Sequence, residues 1–89
     1  MSKRDFSWVE LNKILMFAAD KFKYIENRDK WVESASEFVR TYIHGGKFVV
    51  YNSRNQLLAD FDVLDDAIHY KEENEPKNEL FSIECEILN

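Results

Sequence analysis

The hydrophobic period of this chain changes at His44–Gly45–Gly46, and that change constrains the fold more than any other feature. Before the junction, apolar residues recur every three or four positions. After it, they fall into short alternating runs. Both glycines of the chain stand at the junction itself. A helical period followed by a strand period specifies a helical segment first and a mixed β segment second.

In the first segment, Trp8, Leu11, Leu15, Ala18, Phe22 and Ile25 recur at 3-4-3-4-3, which predicts one helix with this stripe toward the core. Ser7 and Glu10 have capping-box spacing, and Phe6 and Leu11 occupy the two staple positions. Glu26–Asp29 breaks the period, and Asn27 or Asp29 supplies a cap for a second helix. There Trp31, Ala35, Phe38 and Tyr42 recur at 4-3-4, and Val32, Val39 and Ile43 widen the stripe to an arc suited to cover on two sides, by a partner helix and by a sheet. Gly45 or Gly46 takes the left-handed position after that helix, with His44 at the negative end of its dipole. The short connection makes residues 7–44 an antiparallel helical hairpin.

In the second segment, two β-rich runs flank a polar turn at Ser53–Asn55 and predict a β-hairpin over 46–61. A helix follows over 63–74 and stops before Pro76. A strand over 79–88 has Phe81, Ile83, Cys85 and Ile87 on one face and Ser82, Glu84 and Glu86 on the other. The expected fold class is α+β, in the order α-α-β-β-α-β. A helical hairpin packs with a small three-stranded, mostly antiparallel sheet and one further helix, within a single domain of 89 residues. The favoured sheet order is 2-1-3, all antiparallel, with the helices on one face.

Composition narrows the function. One cysteine, Cys85, excludes an internal disulfide and fits a reducing cytoplasm. The longest apolar run, Ile14–Ala19, is far too short to span a membrane, so a cytoplasmic protein without membrane contact is expected. Residues 1–43 carry seven acids and eight Lys/Arg, whereas residues 44–89 carry ten acids and four Lys/Arg. An acidic half gains little from a phosphate backbone and is better matched to a basic protein surface. Lys21, Lys23, Arg28 and Lys30 surround Tyr24 but interleave with Asp20, Glu26 and Asp29, so direct nucleic-acid binding is not expected.

Asp60, Asp62, Asp65 and Asp66 fall within seven positions, followed by His69. Alternation puts Asp60 on a solvent face, Asp62 sits where an N-cap belongs, and Asp65 and Asp66 fall in the first helical turn. An EF-hand loop starting at Asp60 fails at its fifth, sixth and twelfth positions, occupied by Leu64, Asp65 and Lys71. Asp65 and His69 share a helix face, but two groups do not make a metal site. Neither His44 nor His69 lies in a nucleophile motif, and no glycine-rich loop cradles phosphate. Cys85, alternating with Phe81, Ile83 and Ile87, reads as a core thiol. No catalytic residue, metal or cofactor is assigned.

One feature points to binding. Val9, Met16, Phe17 and Tyr24 project away from the first helix's core stripe, with Lys13 and Asp20 among them, and form a candidate protein-contact surface. The expected function is a small acidic protein-binding regulator, adaptor or inhibitor without catalysis, with a homodimer as one form of that contact. The lysine-, asparagine- and phenylalanine-rich composition is compatible with an AT-rich bacterium or a phage. The alternative is a nucleic-acid mimic of the anti-defence type, with Asp60, Asp62, Asp65, Asp66, Glu72, Glu73, Glu75, Glu79, Glu84 and Glu86 standing in for phosphates against a nucleic-acid-binding protein. A small enzyme subunit is the third class.

Overall fold

The computed structural model describes residues 6–88. The element order is α-α-β-β-α-β, an α+β fold. The chain divides into two compact units, Met1–Gly45 and Gly46–Asn89.

The first unit pairs α1 (Trp8–Lys21) with α2 (Arg28–Ile43). Local chemistry sets three of the four helix ends. The Glu10 N–H donates to Ser7 Oγ at 3.1 Å, and the Lys30 N–H donates to Asn27 Oδ1 at 3.1 Å; each satisfies an amide that the first helical turn leaves without a partner. After α2, Gly45 takes the left-handed conformation at φ +97°. A Cβ built there meets nothing within 4 Å, so glycine is needed for its backbone freedom and not for space. The end of α1 is closed from a distance. The Trp31 indole N–H donates to the Ala19 carbonyl at 2.9 Å and satisfies one of the acceptors that a helix C-terminus leaves open.

Ile14, Ala18, Ala35, Phe38 and Tyr42 are buried, and the Phe38 ring meets Phe17 and Phe22 at centroid distances of 5.8 and 6.3 Å. The α2 stripe therefore lies where its period put it. The α1 stripe does so only in part: Ala18 is buried and Phe22 meets Phe38. Trp8 and Leu15 are exposed, and the buried line runs through Ile14 and Ala18, about 60° around the helix from the predicted one. α1 also stops at Lys21, and Ile25 lies beyond it in a turn where its N–H donates to the Phe22 carbonyl. On the widening flank of α2, Val32 is exposed, and Val39 and Ile43 are half-buried.

The second unit contains β1 (Lys47–Tyr51), β2 (Leu57–Phe61), α3 (Leu64–Asn74) and β3 (Ser82–Glu86). The sheet order is β2-β1-β3 with both pairings antiparallel. Phe48 stands opposite Phe61 and Cys85, and Val50 opposite Ala59 and Ile83. Central strand β1 is the most closed part of the unit, with Phe48, Val49 and Val50 fully buried. From α3, Leu64 and Ala67 are buried, and the Tyr70 ring meets Phe61 at 5.6 Å. The hairpin turn is built on Asn52, whose Oδ1 accepts from the Arg54 and Gln56 amides at 3.0 and 2.9 Å, an Asx-type arrangement. Asn55 supplies the left-handed residue at φ +61°.

Two expectations need correction here. The N-cap of α3 is Val63, with no side-chain cap bond. Asp62 instead lies 3.8 Å from Lys47 Nζ, beside Asp60 at 3.5 Å. Residues 60 and 62 leave β2 on the same side by strand alternation, and Lys47 of the neighbouring strand draws Asp62 into a cross-strand pair. The apolar face of β3 is also shorter than predicted. Phe81 and Ile83 are buried, Cys85 is half-buried and Ile87 is exposed, because the strand itself ends at Glu86.

Candidate functional site

The four residues expected to form a contact surface separate in the structure. Val9 (68% exposed) and Met16 (73%) project outward from α1. Tyr24 is also exposed, but beyond the helix. Phe17 is corrected: it is half-buried and packs at a tilt against the buried Phe38 ring, so it belongs to the packing between the helices. The reason is the rotation of α1, which turns Phe17 toward α2 and turns Trp8 and Leu15 away from it.

That rotation assembles a larger surface. Trp8 is 75% exposed and Leu15 46%, so α1 presents Trp8, Val9, Leu15 and Met16 outward together. Leu15 then meets Val32 of α2 (48% exposed) in a shallow groove lined also by Ala19, Trp31, Ala35 and Ser36. The groove continues along α2 past Val39 and Ile43 to Arg40 and His44. Arg40 is held at that end in an ion pair with Glu37. Period analysis missed Trp8, Leu15 and Val32 as surface residues. The available signal was the count of large apolar residues on α1, more than one buried stripe accommodates.

The acidic residues divide by role. Glu79 Oε2 accepts from the Ser53 N–H at 3.0 Å and from Ser53 Oγ at 2.8 Å; the amide bond first, then the hydroxyl, holds its pKa below the ordinary glutamate value. Glu75 pairs with Lys71 at 3.0 Å and accepts from the Phe81 N–H at 2.7 Å, and these two partners lower its pKa in that order. Together they fasten the link between α3 and β3. Glu86 accepts from the Tyr51 hydroxyl at 2.7 Å, and that bond is the main reason the phenol's pKa is raised. Asp60 and Asp62 face Lys47, and Glu84 is half-buried on β3 beside Val49. Asp65, Asp66, Glu72 and Glu73 remain as the exposed acids of α3. His69 pairs with Glu73 at 2.6 Å. Among the described residues, no three His, Cys, Asp or Glu side chains are grouped as a metal-ligand set, and no helix is long and apolar enough to cross a membrane.

The fold and this surface define an α+β chain with an exposed apolar helix face. No known protein family, curated protein or solved structure matches the chain.

Proposed function

We propose that this is a non-catalytic protein-binding module, a regulator, adaptor or inhibitor, that engages its partner through the outer face of α1. The observation that carries this reading is the grouping of Trp8, Val9, Leu15 and Met16 on the outside of one 14-residue helix. Exposed apolar residues scattered singly are ordinary, but several on one side of a single helix, Trp and Met among them, are typical of a protein contact. The acidic alternative draws its support from α3, where Asp65, Asp66, Glu72 and Glu73 are exposed. It loses much of its proposed phosphate imitation, because Glu75, Glu79 and Glu86 are bonded within their own unit.

A photo-reactive residue placed at position 16 or at position 72, in the native cells, separates the two readings. The α1 reading expects a covalent protein adduct from position 16 and none from position 72. Adducts from position 72 alone would transfer the function to the acidic helix. A lack of adducts from either position would remove the protein-binding proposal.

A further inference from the structure

We draw no further inference here: the strongest candidate, the exposed apolar face of α1 with the groove it shares with α2, belongs to the surface already described, and nothing in the structure shows what covers it.

Discussion

The two units treat their large apolar residues differently. The second unit closes a core around β1, where Phe48, Val49 and Val50 are fully buried. Its exposed apolar residues, Leu57, Leu58, Val63, Leu80, Ile87 and Leu88, are distributed over strand ends, links and the C-terminal tail. In the first unit, α2 buries Ala35, Phe38 and Tyr42, but α1 buries only a narrow line through Ile14 and Ala18 and turns four large side chains outward. Polar bonding differs as well. The second unit ties its link and hairpin turn with acceptors on Glu75 and Glu79, the latter 26 residues from its partner Ser53, whereas the first adds to its local caps at Ser7 and Asn27 the bond from Trp31 to Ala19. The sheet unit thus turns its large apolar residues inward around one strand, and α1 leaves several of its own open.

The sharpest way to break this comparison is to truncate one large residue on each side of it. Phe48→Ala should destabilise the chain by about 3–5 kcal/mol, the cost of losing a fully buried aromatic. Trp8→Ala should stay within about 0.5 kcal/mol of wild type when the chain is monomeric. Urea melts of both variants measure the difference. Equal losses would make the outer face of α1 part of the core and dissolve the distinction.

A smaller effect is expected where the two units meet in sequence. Gly45→Ala should cost about 1–2 kcal/mol, because a side chain is forced into the left-handed conformation. No neighbour lies within 4 Å of the added carbon, so the penalty should be purely conformational. Gly45→Asn, which tolerates that conformation better, should recover part of it. A variant as stable as wild type in thermal melts would show that the helix end does not require φ +97°.

Where the cause was local, the sequence was readable. The caps at Ser7 and Asn27, the left-handed Gly45, the α2 line Ala35–Phe38–Tyr42 and the turn at 53–55 all depend on residues a few positions apart. The hairpin and the helical return left two placements for the third strand, parallel beside β2 or antiparallel beside β1, and the favoured second one is observed. The α1 face was not readable by period, because Trp8, Val9, Leu11, Ile14, Leu15, Met16, Phe17 and Ala18 surround the helix and admit more than one 3-4 stripe. Packing against Phe38 selects among them, and no spacing within α1 contains that information. The same holds for the acids. Glu79 is tied to Ser53, 26 residues away, and nothing in its local sequence distinguishes it from Glu72.

Smaller again is the pH response that separates these tying acids from the exposed ones. Glu75 and Glu79 have folded-state pKa values below the ordinary glutamate value. Their contribution to stability is therefore complete above that value and is lost as pH falls through the lower, folded one. In an NMR titration, the transitions of the Ser53 and Phe81 amide signals should have midpoints below pH 4.5, the ordinary value. Glu79→Gln should abolish the Ser53 transition and leave that of Phe81. A Ser53 transition that survives Glu79→Gln would mean that Glu79 does not hold the hairpin turn.

The smallest effect expected is at Asp62, and it sharpens the contrast between locally and remotely determined polar contacts. An aspartate directly before a helix normally accepts from the first-turn amides, and losing such a cap costs about 1 kcal/mol. Here the cap position is one residue later, at Val63, with no side-chain bond. Asp62 faces Lys47 across the sheet at 3.8 Å, where its side chain is largely exposed and Asp60 is the nearer partner. Exposed pairs of that kind contribute little. Asp62→Ala should therefore change stability by less than about 0.5 kcal/mol, whereas Asn27→Ala, which removes a bonded cap, should cost about 0.5–2 kcal/mol. Parallel urea melts decide the matter. If Asp62→Ala costs as much as Asn27→Ala, then α3 is capped by Asp62 in solution, and the pull of Lys47 on that side chain is weaker than the cross-strand geometry indicates.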